Sequence, residues 1–222
     1  MSGSKIATST TIDGSMKRTE NDARIIEQNR MLFLAKHHTF PDKSVLVQLD
    51  YDSDNFCRYE VVDENAAGEG MTRSSRTADG LATQTKDLGL FLPLADCNGV
   101  VLHDPVHQAI MLTHLGRHNL EQYGGVKSVE FMIKQFGSNP AKLHVHFSPC
   151  AGKKQYPLHS FGESGIAEIS KQQLCSAGVL SANIIDPDID TTMDANYFSH
   201  SEFLRGNRSN DGRFAVLAML TD

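Results

Sequence analysis

The sequence predicts an α+β fold in which mixed β-sheets are flanked by helices, laid out as one domain over residues 1–222. Three observations predict it. Short apolar runs bounded by turn residues recur along the chain, and amphipathic helical stretches are interspersed among them. Strands and helices also lack the regular alternation that builds a doubly wound parallel sheet. At 40% hydrophobic and 22% charged residues, a chain of 222 has the balance of a globular protein able to bury a good core.

The elements follow in order. Residues 1–14 are polar and rich in Ser and Thr, a segment expected to be flexible and without the apolar centre of a secretory signal. Residues 21–38 place apolar pairs at Ile25/Leu32 and Ile26/Phe33, a helical recurrence that ends before Pro41. Residues 44–49 read as a short strand, 50–54 as an acidic turn and 64–77 as an exposed loop. Three closely spaced strands are expected over 88–94, 99–103 and 108–113, with Asp104-Pro105 turning between the last two. Residues 119–136 form the strongest helical pattern, with Val126, Val129, Ile133 and Phe136 on one face and Gly137 and Pro140 at its end. Residues 142–148 alternate as a strand, 163–178 form a second amphipathic helix, 183–185 a short strand and 213–220 a closing strand.

Bulk charge narrows the partners. A formal net charge of −6 without a Lys/Arg stripe excludes binding to a phosphate backbone, so no nucleic acid is expected. No apolar run approaches the length of a membrane span. Small molecules are the expected ligands, for a monomer or homodimer in the cytoplasm. Cys57, Cys97, Cys150 and Cys175 are scattered singly, without the paired spacing of structural zinc sites, and a chain of this size needs no disulfide staples. Each thiol is therefore judged by its neighbours.

The most informative stretch runs from Asp79 to His118. Ala78-Asp79-Gly80, Ala95-Asp96-Cys97 and His114-Leu115-Gly116 each adjoin an apolar run, which sets one thiol and one imidazole at strand ends, where ligand sites collect. Leu94-Ala95-Asp96-Cys97, Asp104-Pro105, His114-Leu115-Gly116-Arg117-His118-Asn119, Ser148-Pro149-Cys150-Ala151-Gly152, Phe198-Ser199 and Gly212-Arg213 follow Ala78-Asp79-Gly80 in that order. Asp13-Gly14-Ser15-Met16 and Asn29-Arg30 extend the pattern towards the N-terminus. No single motif is specific. Their order resembles that of the laccase-domain family, the YfiH-like proteins also labelled polyphenol oxidases, peptidoglycan editing factors and purine nucleoside phosphorylases.

The resemblance implies a zinc site of two histidines and one cysteine. Cys97 and His114 match two of these ligands, but the stretch expected to carry the first histidine reads Gln48-Leu49-Asp50-Tyr51, which makes Asp50 the expected third ligand. Ser9-Thr10-Thr11 lacks an arginine that the family carries, and Arg117-His118 stands where the family has Trp-Arg. The implied reaction is phosphorolysis of adenosine or inosine, with adenosine deamination as a companion, on a purine nucleoside and phosphate. Arg117, His118, Cys150 and Arg208 are the expected substrate contacts, and His200 and Arg205 are further basic candidates after Phe198-Ser199.

Two other classes remain open at this point. A member that binds a nucleoside or a protein without turnover would share the same motifs. Cys97 and His114 also have the composition of a nucleophile and its base, as in an amidohydrolase or a peptidoglycan-precursor editing enzyme. Copper oxidation is disfavoured, because multicopper sites need several His-x-His pairs and this chain offers only His144 and His146.

Overall fold

The computed structural model describes residues 3–17 and 22–222. Its strands are β1 (Gly3–Thr8), β2 (Ser44–Leu46), β3 (Tyr59–Val61), β4 (Gly80–Thr83), β5 (Gly89–Leu94), β6 (Asn98–Asp104), β7 (Ala109–Leu115), β8 (His144–Phe147), β9 (Ile184–Ile185) and β10 (Phe214–Thr221). The helices are α1 (Ala23–Lys36), α2 (Arg117–Glu121), α3 (Gly124–Phe136), α4 (Ile166–Ser176) and α5 (His200–Leu204). Residue 21, where the first helix was expected to begin, lies outside the described residues, as do residues 1 and 2 of the expected flexible segment.

Two mixed sheets result. Four strands lie in the order β1-β10-β5-β2, and six in the order β3-β4-β7-β6-β8-β9. The pairs β2/β5, β3/β4 and β8/β9 are parallel and the others antiparallel. The three strands expected side by side are therefore divided. β6 and β7 are neighbours in the larger sheet, whereas β5 belongs to the smaller one, so the chain changes sheets between Leu94 and Asn98.

Three apolar layers set the stacking order. Leu81, Val101, Ile110 and Leu112 of the larger sheet meet Leu90, Leu92, Val216 and Ala218 of the smaller one. On the far face of the larger sheet, Val100, Leu102, Met111 and Val145 pack with Val129 and Met132 of α3 and Ile169 and Leu174 of α4. On the far face of the smaller sheet, Phe91, Ala215 and Leu217 pack with Phe33 and Leu34 of α1. Helix, sheet, sheet and helices form four layers, and strands such as β6, β7 and β10 read as nearly continuous apolar runs because both their faces are covered.

Several expectations are corrected at the ends. Instead of a flexible segment, Gly3–Thr8 forms β1, paired in register with β10 from Gly3↔Thr221 to Thr8↔Val216. β4 directly follows Ala78-Asp79. The single helix expected over 119–136 is two helices, because Tyr123 adopts a left-handed conformation (φ 62°) between α2 and α3. The buried stripe of α3 runs through Gly125, Ser128, Val129 and Met132, while Ile133 is exposed. A Cβ on Gly125 would stand 2.8 Å from Cβ of Gln173, so glycine is what lets α3 lie against α4. In α1 the inward face is Ile26, Arg30, Phe33 and Leu34, with Ile25 and Leu32 outward.

Leu112, fully buried between the sheets, and Ile185, exposed on β9, give a direct check of this layering. Leu112→Ala is expected to lower unfolding free energy by about 2–5 kcal/mol and Ile185→Ala by less than about 0.5 kcal/mol, measured by denaturant titration.

Candidate functional site

Where the chain leaves β5 for β6, Asp96 adopts φ 70°, a left-handed conformation that aspartate tolerates better than most residues. Its carboxylate is buried and accepts hydrogen bonds from the Thr191 hydroxyl (3.0 Å) and the Ser201 backbone N–H (2.7 Å). Its carbonyl accepts one from the Ala151 N–H at 2.7 Å. Three distant segments are thereby drawn around the strand crossing, and Cys97 is the next residue.

His114 arrives from the opposite direction, near the end of β7, with its backbone N–H donating to the Asp79 carbonyl at 2.8 Å. Its side chain is buried and Nε2 has no hydrogen-bond partner among the described residues. Gly116 lies between the two groups. A Cβ there would stand 2.7 Å from the Cys97 sulfur and 3.0 and 3.2 Å from Cε1 and Nε2 of His114, so the thiol and the imidazole edge converge on a space that only glycine leaves open. Asn119 fixes the turn, accepting from the Gly116 N–H at 3.1 Å and contacting the His114 ring.

Both groups are pushed towards their neutral forms. Desolvation pulls the His114 pKa down to about 4, opposed by Asp79 and Asn119. Desolvation and the Asp96 carboxylate push the Cys97 thiol up to about 12, opposed by Arg213 and Arg117. A thiolate is what attacks, and both causes disfavour it. Both shifts run against a preformed thiolate–imidazolium couple.

The cavity around this pair measures about 480 Å³. Tyr51, Phe56 and Tyr156 give it aromatic walls, and Arg117, His118, His200 and Arg213 give it basic ones. Phe56 stacks on His118 at 4.8 Å between ring centroids and 21° between planes. It is held to α2 by its N–H donating to Gln122 Oε1 (2.9 Å) and its carbonyl accepting from Asn119 Nδ2 (2.5 Å). Arg117 makes no ion pair among the described residues and has His118 Nε2 at 3.3 Å. A larger cavity of about 740 Å³ lies beside α1, but neither histidine nor cysteine lines it.

The expected third ligand is not in the wall. Asp79 is 2% exposed, and a carboxylate buried to that degree needs a counter-ion. Arg58 supplies it through Nε (2.9 Å) and Nη2 (3.3 Å), and Nη1 of the same guanidinium takes Asp50 Oδ2 at 3.1 Å. Asp50 is thus turned to Arg58 and does not line the Cys97–His114 cavity. Among the described residues no group of three or more His, Cys, Asp or Glu side chains is placed to hold a metal ion. Cys97 and the orphaned Nε2 of His114 are two suitable donors, one short of the three protein ligands of a catalytic zinc. The zinc site expected from Asp50, Cys97 and His114 does not fit these residues.

Two expected substrate contacts also fall elsewhere. Cys150 is buried in a neighbouring cavity with Gly152 and Asp190, because its backbone pairs with the segment around Asp190. Arg208 turns away to the Thr192 carbonyl at 3.5 Å. Arg205 pairs with Glu202 and donates to the Gln155 carbonyl, in an adjoining cavity. His144 and His146 lie on β8 with His103 as cross-strand neighbour, outside the cavity. Phe56 and Tyr156 are wall residues that carry no motif, and Tyr51 entered only as the residue after Asp50; their position on loops flanking strand ends is the one signal that could have marked them.

Residues 10–164 match the family model described as multi-copper polyphenol oxidoreductase laccase. The chain is 26% identical over 133 residues to the Bacillus subtilis protein named purine nucleoside phosphorylase YlmD, an alignment covering 59% of this chain and 46% of that protein. The chain thus spans about half the length of the curated relative it matches. Among solved structures it is similar to YlmD from Geobacillus stearothermophilus, with a TM-score of 0.81 and 18% identity over 100% of this chain and 92% of that one. It is also similar to the Bacillus licheniformis hypothetical protein YfiH, with a TM-score of 0.78 and 22% identity over 88% of this chain and 81% of that one. These likenesses show the fold.

Metal analysis of the purified chain is expected to give well under one zinc per chain, unchanged by Asp50→Ala. Stoichiometric zinc lost in that variant would contradict the placement of Asp50. Alkylation of Cys97 is expected to be slow at pH 7 and to accelerate about tenfold per pH unit up to pH 11, as the thiolate fraction grows below a pKa near 12. A rate levelling off near pH 8 would show an activated thiol instead.

Proposed function

Because the chain belongs to the multi-copper polyphenol oxidoreductase laccase family, we propose that its Cys97–His114 cavity binds a purine nucleoside with inorganic phosphate and supports phosphorolysis of the glycosidic bond. The observation that carries this reading is the pairing of an aromatic stack, Phe56 on His118, with a guanidinium, Arg117, that no carboxylate of the described residues neutralises. A heteroaromatic base and an oxyanion are the two groups such a wall recognises. The cavity volume falls in the range of small-molecule sites.

The residues divide the work. The flat ring pair of Phe56 and His118 receives the base. Arg117 and Arg213 set a positive potential beside Cys97, where the phosphate anion is drawn in. Neutral His114, with Nε2 unpaired, serves a ribose hydroxyl as donor or acceptor according to its tautomer. Cys97 stays protonated and packs the floor beneath the sugar. Deamination is left out of the proposal, because it needs a metal-activated water and these residues supply two donors. Copper oxidation is left out because the chain's one His-x-His pair lies outside the cavity.

Incubation with inosine or adenosine is expected to release free base only when phosphate is present, with no conversion of adenosine to inosine, as followed by chromatography. Arg117→Ala is expected to raise the KM for phosphate about 10- to 150-fold, the equivalent of about 1.5–3 kcal/mol for a hydrogen bond to a charged group. Absence of base release at high protein concentration, together with calorimetric binding of inosine, would replace this reading with a binding protein that does not turn over.

A further inference from the structure

We infer that His200, held by Asp211, is the proton donor to the departing purine, a role that rests on the phosphorolysis proposed above. The placement begins with α5. Its first turn is fixed on both sides of His200, by Ser199 Oγ accepting from the Glu202 N–H (3.3 Å) and by the Ser201 N–H donating to Asp96 Oδ2 (2.7 Å). The imidazole between them lines the cavity. Its Nδ1 lies 2.7 Å from Asp211 Oδ1, while Nε2 has no hydrogen bond among the described residues and the side chain is 43% exposed.

A carboxylate on Nδ1 fixes the ring's orientation and leaves Nε2 as the nitrogen offered to a ligand, the position that carries the transferable proton in the imidazolium form a general acid uses. Asp211 is itself kept ionised. Burial would raise its pKa, but hydrogen bonds from Lys17 Nζ (2.6 Å), Arg213 Nη1 (2.7 Å) and His200 outweigh burial and hold it well below the usual carboxylate range. The other two histidines of the wall suit the task less well. His114 is buried and neutral, and the Nε2 of His118 faces a guanidinium.

The chemistry balances as follows. A phosphate oxygen bonds to C1′ as the C1′–N9 bond breaks, and the bonding pair passes into the purine ring. The Nε2 proton of His200 moves to N7, so the base leaves neutral rather than as an anion, and His200 ends as neutral imidazole. Solvent then returns the proton. Asp211 acts through His200 and is a positioning residue.

The test compares inosine with 7-methylinosine, whose cationic base departs neutral without receiving a proton. In His200→Gln, kcat with inosine is expected to fall about 10²- to 10⁴-fold, while kcat with 7-methylinosine stays within about threefold of the unaltered chain. Equal losses on both substrates, or none on either, would overturn the assignment of His200. An unaltered chain that cleaves neither substrate would instead overturn the phosphorolysis reading. Retained cleavage of 7-methylinosine in the variant serves as the control for folding.

Discussion

The buried carboxylate of Asp96 is the constraint on which the cavity depends. It stands where the chain passes from one sheet to the other, and through it the loop at Thr191 and the start of α5 are tied to the strand crossing. Its backbone carbonyl adds Ala151 to the same knot. Hydrogen bonds to a charged acceptor contribute roughly 1.5–3 kcal/mol each, enough to hold segments about a hundred residues apart in sequence. The same carboxylate adds to burial in keeping the neighbouring thiol protonated. Architecture and chemistry therefore share one group: the residue that assembles the walls also quiets Cys97.

A second buried carboxylate explains why the site departs from the expected metal centre. Asp79 is more deeply buried than Asp50, and the cost of an uncompensated buried charge exceeds anything a half-exposed aspartate gains from solvent. Arg58 must serve Asp79 first, and its remaining nitrogen captures Asp50 in passing. The loop from Tyr51 to Phe56 then hangs between this ion cluster and α2, where Gln122 and Asn119 hold its backbone. Asp50 thus anchors the loop of the aromatic wall to Arg58.

Legibility followed the reach of each signal. β5, β6 and β7 were readable because their apolar runs are continuous and bounded by turn residues, and Cys97 and His114 because each sits where such a run ends. β1 was not, since Gly-Ser-Lys-Ile-Ala-Thr is polar and half-buried and becomes a strand only through β10 at the far end of the chain. The break at Tyr123 depends on left-handed backbone at a residue that carries no turn signature. Spacing could propose Asp50 as a ligand but could not show Arg58 reaching it, because the competing demand comes from Asp79, which local sequence does not connect to either. The His200–Asp211 contact was hidden for the same reason: the two residues are separated by α5 and the loop that follows it.

Charge placement gives these contacts a common logic. Arg213 and Lys17 are committed to Asp211, Arg205 to Glu202 and Arg58 to Asp79, so the basic residues near the cavity are mostly neutralised by carboxylates. Arg117 is the cation of the wall without such a partner among the described residues, and an uncompensated guanidinium there is a strong attractor for a single oxyanion. The thiol and the buried imidazole add no charge at the centre, and the Asp96 carboxylate in the same wall is turned to the Thr191 hydroxyl and the Ser201 N–H. Asp211, Glu202 and Asp79 are each turned to a counter-ion, which leaves Arg117 as the group of the wall that favours an anionic co-substrate.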